Sequence, residues 1–214
     1  MEDLNALRCL YEEALPEMWA TQPDTAHDLG HIRRVWRMAE RIARVERAEV
    51  DWRVLLAATI FHDCVSLPKD APDGHLSSAY AAEKAVAYLR KSGIPQDRLA
   101  RIAHAIVAHS FSGGVVPESP EAKILSDADK LDALGAIGIA RLFAVSGALG
   151  RPLYDAEDPT AQNRPLDGRA FALDHFETKL FRLPSLMHTR EGRRIAEVRM
   201  RRMQAYRADL LAEL

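Results

Sequence analysis

Two histidines and two aspartates, spread over about half of the sequence, are residue types that bind metal ions: His31, His62, Asp63 and Asp127. Each falls where a predicted helix should present an apolar residue to the core. A buried carboxylate destabilises a protein unless it is paired or binds a cation. One divalent ion would satisfy all four side chains together, so the sequence favours a metal-dependent hydrolase. Imidazole and carboxylate donors suit Mn, Fe, Co, Ni or Zn, and Mg is less favoured.

The two histidines are expected on helices that lie close to the core. His31 heads an apolar stripe that continues through Val35 and Ile42. The His62-Asp63 pair ends a nearly all-apolar segment that begins at Asp51, a helix-capping residue. Because the chain can turn at a helix end, two adjacent side chains can converge there on one ion. A lone core histidine is more often a hydrogen-bonded structural residue than a metal ligand, so neither histidine alone predicts the site.

The aspartate pair near position 128 is assigned by helical spacing. Asp127 shares a face with Ile124 and Leu131, so it is expected to point inward as the last ligand. Asp129 lies on the opposite face and is expected in solvent. A buried Asp127 paired with an arginine or a helix end remains the alternative.

Composition restricts the functional class. The chain has 214 residues, of which 48% are hydrophobic and 28% charged, as in ordinary soluble domains. A net charge of -2 gives no global attraction to nucleic acid or membranes. Cys9 and Cys64 are too few for a disulfide framework, which suits a reducing cytoplasm. No apolar run approaches the ~18 residues of a membrane span, and the N-terminus lacks the pattern of a signal peptide.

Helical periodicity dominates, so we expect an all-α protein with one domain over residues 1–214. The Thr25–Asp28 capping box opens the second predicted helix, which continues to about Val45. The other helices are predicted at about 3–19, 51–63, 76–91, 95–109, 121–146, 169–183 and 186–214. The segment 149–168 contains three prolines and is expected to be a lid or pocket wall, a dimer contact or a surface flap.

The order His31, His62-Asp63, Asp127 resembles the H…HD…D signature of the HD superfamily of metal-dependent phosphohydrolases. The strings that carry the resemblance are HDLGHIRRVWRMAERIA, LLAATIFHDCVSL, AHAIVAHSFSGG, AKILSDADKLDALGAIGIARLFAVSG and LDHFETKLFRLP. They are similar to the small, single-domain bacterial branch and cover roughly residues 25–182. The resemblance implies an HD-domain helical bundle with a metal site in a central cleft. Its core would be about 25–183, followed by a C-terminal helix at about 186–214.

The resemblance also implies site roles. His31, His62, Asp63 and Asp127 would bind one divalent ion per chain, since the adjacent histidines of two-metal members are missing. Asp63 could share a proton with the attacking water, and His109 could assist the leaving group. His27 is a possible ligand or substrate contact. Four basic side chains are candidates for further substrate contacts, although each could instead be solvated or salt-bridged: Arg34, Lys130, His175 and Lys179.

The expected substrate is a small phosphorylated molecule, most simply a nucleotide, and one specific reaction is pyrophosphate release from a nucleoside triphosphate. A phosphomonoesterase, a phosphodiesterase and a non-catalytic metal-dependent nucleotide sensor are the alternatives. Arginines in the last predicted helix leave nucleic-acid binding as a less favoured reading, because acidic residues interrupt them. The sequence leaves homodimer formation open.

Overall fold

The computed structural model describes residues 4–19, 28–67, 73–110 and 113–214. Within them the chain is helical and contains no strand, which confirms the all-α prediction. The α-helices are α1 (Leu4–Met18), α2 (Leu29–Glu46), α3 (Trp52–Phe61), α4 (Ser77–Lys91), α5 (Gln96–His109), α6 (Pro120–Asp132), α7 (Gly135–Ala148), α8 (Ala172–Thr178) and α9 (Arg190–Ala212). Short 3-10 helices span Gly74–Leu76 and Leu180–Leu186.

The chain divides into two compact units, Met1–Asp129 and Lys130–Leu214. The division falls inside α6, so the end of that helix belongs to the second unit. The single domain over residues 1–214 stays a prediction.

Helix α3 forms the centre of the first unit. Its residues from Val54 to Phe61 are all buried, and α1, α2 and α5 pack against it. The Phe61 ring contacts the rings of Tyr11 and Tyr88 at centroid distances of 5.2 and 5.5 Å. Because α3 is apolar nearly all round, its burial holds the helix in place. The residues at its end are therefore held in place as well.

A polar network anchors the start of α3. Asp51 caps the helix by accepting a hydrogen bond from the backbone N–H of Arg53, and Arg98 Nε donates to its other oxygen at 2.7 Å. The Asp51 backbone N–H donates to Glu121, which also pairs with Arg101. Burial alone would raise the pKa of Asp51, but Arg98 and the capped amides lower it below its usual range. The network therefore ties α3 to α5 and α6.

The predicted helix at 121–146 is wrong, because the chain breaks between α6 and α7. Gly135 adopts a left-handed φ of 76°. At Gly138 an added Cβ would lie 2.2 Å from the carbonyl oxygen of Ala133. Within the described part of the chain no single helix is long and apolar enough to span a membrane. Only the bent pair α6 and α7 meets the criteria of length and composition.

The connection from α7 to α8 has no helix or strand, as predicted, but it is closed by turns. Asp155 and Asp158 each accept hydrogen bonds from backbone N–H groups further along the segment. Arg164 pairs with Asp174 of α8, which is 2% exposed, and its guanidinium lies 4.5 Å from the centre of the Phe171 ring. The positive charge of Arg164 is thus paired with a carboxylate of the second unit.

Candidate metal centre

Two buried histidines face each other at the centre of the first unit. His31 lies in the first turn of α2, where its backbone N–H donates to the capping carboxylate of Asp28 at 2.8 Å. His62 directly follows α3. Both side chains are fully buried, and their Nε2 atoms are 3.3 Å apart.

Asp63 completes a three-residue cluster with the histidines. Its Oδ2 lies 3.4 Å from Nε2 of His31 and 3.4 Å from Nε2 of His62. Atoms that bind one ion at about 2.0–2.2 Å lie about 3.0–3.5 Å apart when their bonds are perpendicular or tetrahedral. The spacing of these three side chains therefore fits ligands of a shared ion.

Asp129 is the aspartate of α6 that contacts this cluster. Its Oδ1 lies 3.5 Å from Nε2 of His31 and 3.8 Å from Nε2 of His62. The prediction that Asp129 is solvated is therefore wrong, although its side chain keeps 29% of its surface exposed.

Asp127, the ligand expected from the sequence, projects from a different side of α6. Residues two apart on an α-helix differ by about 200° in direction, so Asp127 and Asp129 leave α6 on different faces. The reason for the error is the burial of α6, in which only Pro120 and Lys123 are exposed. A helix buried nearly all round has no solvent-facing stripe from which the inward phase could be read. Asp127 is itself fully buried, as expected.

The hydrogen bonds of His62 orient its ring for metal binding. Its Nδ1 lies 2.8 Å from the carbonyl oxygen of Thr59, so Nδ1–H donates there and Nε2 faces the cluster. Metal-binding histidines commonly show this arrangement, in which the second nitrogen is held by a backbone oxygen.

The two carboxylates of this cluster carry negative charge that a nearby cation must balance. Burial alone would lower the pKa of His62, but the carboxylates of Asp63 and Asp129 raise it to about 9. Burial would also raise the pKa of Asp63, and the neighbouring histidines instead hold it well below its usual range. A proton on His62 balances the two carboxylates when no other cation is near, and a divalent ion can replace that proton.

His109 lies beside the cluster, as expected, at the last residue of α5. Its Nδ1 donates to the carbonyl oxygen of Ile106, and its Nε2 is 3.6 Å from Oδ1 of Asp63. Its ring meets the ring of His62 edge-on, with centroids 4.8 Å apart. The two oxygens of Asp63 therefore face different groups, Oδ2 toward His31 and His62 and Oδ1 toward His109.

Cys64 follows the His-Asp pair, but its thiol is directed toward α4. It is fully buried, and its Sγ lies 3.5 Å from the carbonyl oxygen of Ala81. Burial raises the pKa of the thiol to about 12. Sulfur is thus no part of the donor set.

The remaining predicted site residues stay predictions. Arg34 is half-buried on α2, one turn beyond His31, and His27 lies outside the described residues. Three further residues belong to the second unit: Lys130 is buried in α6, His175 Nδ1 lies 3.2 Å from the carbonyl oxygen of Gly168, and Lys179 follows α8.

Comparison with known proteins assigns the family. The sequence model of the HD domain matches residues 28–134, which include the whole cluster. The chain belongs to the HD domain family. The resemblance seen in the sequence is thereby confirmed, and membership supports a metal-dependent hydrolase whose domain type binds a divalent ion.

Relatives of similar length extend this result. The Bacillus subtilis protein YpgQ is 33% identical over 184 residues, covering 84% of this chain and 80% of YpgQ. The crystal structure of YpgQ in complex with ADP has a TM-score of 0.70 at 29% identity, over 99% of this chain and 98% of YpgQ. An HD-superfamily hydrolase from Bacillus thuringiensis has a TM-score of 0.72 at 29% identity, over 99% and 98% of the two chains.

Proposed function

We propose that this protein hydrolyses a phosphate ester or anhydride bond of a nucleotide with one divalent metal ion bound by His31, His62, Asp63 and Asp129. One observation carries the proposal. Five distances, all from 3.3 to 3.8 Å, join the two imidazole Nε2 atoms to each other and to one carboxylate oxygen each of Asp63 and Asp129. Two imidazoles and two carboxylates form a donor set that suits Mn, Fe, Co, Ni or Zn.

The protein residues would act around the ion in distinct ways. A divalent ion in this position supplies an activated water nucleophile near neutral pH and polarises a phosphoryl oxygen. Thr59 holds the His62 ring in the ligand tautomer through Nδ1. Asp63 Oδ1, which points away from the two ligand histidines, accepts the proton of the attacking water. His109, beside that oxygen, passes a proton to the leaving group.

The substrate class rests on the relatives. YpgQ has been crystallised with ADP, which supports a nucleotide as the ligand of the present chain. Hydrolysis of a nucleoside triphosphate that releases pyrophosphate is the specific reaction proposed. Arg34 is the proposed phosphate contact within the first unit, because it lies one turn beyond His31 on the same helix.

A matched pair of variants tests the ligand set. Asp129→Asn and Asp127→Asn make the same chemical change two residues apart in one helix. The metal-stripped proteins would be mixed with Mn²⁺, Co²⁺, Ni²⁺, Mg²⁺ or Zn²⁺ and with nucleoside mono-, di- and triphosphates and cyclic nucleotides. Phosphate and pyrophosphate would be measured separately. Asp129→Asn should weaken metal binding by roughly 100-fold or more and abolish product formation. Residues that only hydrogen-bond to metal ligands usually change the affinity by less.

Asp127→Asn should bind metal as the wild type does, provided that circular dichroism shows it to be folded. Loss of metal binding in Asp127→Asn alone would reverse the assignment of the two acids. Tight metal and nucleotide binding by the wild type without any product would point to a sensor instead of an enzyme.

A further inference from the structure

The end of α6 is held by a side chain from α9. The last carbonyl groups of a helix lack partners within it. The carbonyl oxygen of Leu131 accepts one hydrogen bond from the backbone N–H of Leu134 at 3.0 Å and a second from Nη1 of Arg199 at 2.5 Å. Arg199 therefore supplies a donor where the helix stops.

The same side chain fills the corner between α6 and α7. A Cβ placed on Gly135 would lie 3.1 Å from Cγ and 3.3 Å from Cβ of Arg199. Gly135 also has a φ of 76°, which strains any residue with a side chain. The hydrocarbon stem of Arg199 thus packs against a backbone that only glycine allows to come so near.

Charge favours this arrangement as well. The carbonyl end of a helix carries partial negative charge, which a nearby cation stabilises. Asp132, the last residue of α6, pairs with Arg141 of α7. Arg199 is directed to the backbone of the helix end.

We propose that Arg199 is a positioning residue that fixes the last turn of α6 and thereby the carboxylate of Asp129, two residues before Leu131. This inference rests on the proposed role of Asp129 as a metal ligand. Ligand side chains must be held within about 0.5 Å of their working geometry, and supporting contacts supply that precision. Helix continuity carries the restraint from the Leu131 carbonyl to Asp129.

The test compares Arg199→Met with Arg202→Met. Methionine keeps an unbranched stem against Gly135 and removes the guanidinium, and Arg202 is an exposed arginine of the same helix. The dissociation constant of Mn²⁺ would be measured by calorimetry, and the melting temperature of the metal-free proteins would be measured in parallel. Arg199→Met should weaken Mn²⁺ binding about tenfold, the lower end of effects seen for supporting residues. Arg202→Met should leave it unchanged, and Arg199→Lys should recover part of the loss.

The outcomes separate this inference from the proposed function. If Asp129→Asn weakens Mn²⁺ binding and Arg199→Met does not, the positioning role is wrong and the ligand assignment stands. If Asp129→Asn binds Mn²⁺ normally, the ligand assignment itself is wrong. A lower melting temperature of Arg199→Met with an unchanged dissociation constant would show a merely structural role. Should Arg199→Met not fold, Arg199→Gln takes its place with the same expected direction, and an unchanged constant there overturns the inference.

Discussion

Asp63 links two different environments through its two oxygens. Oδ2 joins the histidine pair, whereas Oδ1 faces His109 at 3.6 Å. A carboxylate divided in this way can bind a cation on one side and take part in proton transfer on the other. The division would give His109 a role in proton transfer that differs from the role of the proposed ligands.

We expect His109→Ala to lower turnover by at least about tenfold while the dissociation constant of Mn²⁺ changes less than threefold. General acid–base groups typically contribute a factor of about 10²–10⁴. His109 contacts the oxygen of Asp63 that faces away from His31 and His62, so its loss should spare metal binding. Steady-state kinetics and calorimetry would measure the two quantities.

His104→Ala is the control for this prediction, because His104 lies on the same helix and its Nε2 accepts a hydrogen bond from the Glu118 backbone. A loss of Mn²⁺ affinity larger than the loss of turnover in His109→Ala would make His109 a ligand instead.

Single residues differ in how well the sequence predicts their role. His31 and the His62-Asp63 pair could be predicted because each stands out against an otherwise apolar helical stripe. Helical spacing favours Asp127 over Asp129, but α6 is buried on nearly every side, so the spacing does not identify the acid that faces the histidines. The difference between them is the contact with two histidines far away in sequence, which no local spacing encodes.

At the scale of elements, helix starts were predictable and helix ends less so. Asp51 caps α3 as the sequence predicts, whereas α2 is capped by Asp28, three residues after Thr25, with which the predicted capping box begins. The break between α6 and α7 was missed, since isolated glycines also occur inside helices. At this break Gly135 has a left-handed φ of 76° and lies against Arg199, and Gly138 lies close to the Ala133 carbonyl.

Two glycines of α7 should respond in opposite directions to replacement by alanine. Gly138→Ala should lower the free energy of unfolding by about 1–3 kcal/mol or more, because its Cβ would collide with the Ala133 carbonyl oxygen. Gly147→Ala should raise it by about 0.5–1 kcal/mol, since nothing lies within 4 Å of the added carbon and alanine favours the helix. Urea unfolding would measure both, and a stable Gly138→Ala would contradict the close approach.

The cap of α3 should make stability depend on pH. The pKa of Asp51 is lowered in the folded protein, so its ionised form stabilises the fold above the usual carboxyl range, and this stabilisation disappears as the pH falls through the lowered pKa. Asp51→Asn keeps a capping residue and removes the charge that pairs with Arg98. The variant should melt below the wild type at pH 7, and the difference should shrink below about pH 4. A difference that is independent of pH would exclude the ion pair as its source.

At the scale of the whole molecule, metal removal should lower stability. At 100 times its dissociation constant, a ligand of the folded state adds about 2.7 kcal/mol. For a chain of 214 residues this corresponds to about 5–10 °C in melting temperature. Scanning calorimetry with Mn²⁺ and with a chelator would show the shift, and Asp129→Asn should abolish it. An equal shift in that variant would place the ion elsewhere.

The all-α class and the family could be predicted for the whole chain, because helical periodicity and the HD strings extend over most of it. The four proposed ligands span residues 31 to 129 and lie in the first unit. Homodimer formation, a cytoplasmic location and the role of segment 149–168 stay predictions, since each depends on surfaces or partners that composition does not encode.

The placement of Cys64 has a consequence for oxidative stress. Peroxides and disulfides react with thiolates, and a buried thiol with a pKa of about 12 supplies almost none at neutral pH. Cys64, next to the proposed ligand Asp63, is therefore shielded from oxidants by its burial. Because the proposed ligands are nitrogen and oxygen atoms, metal binding would not depend on the redox state of a thiol.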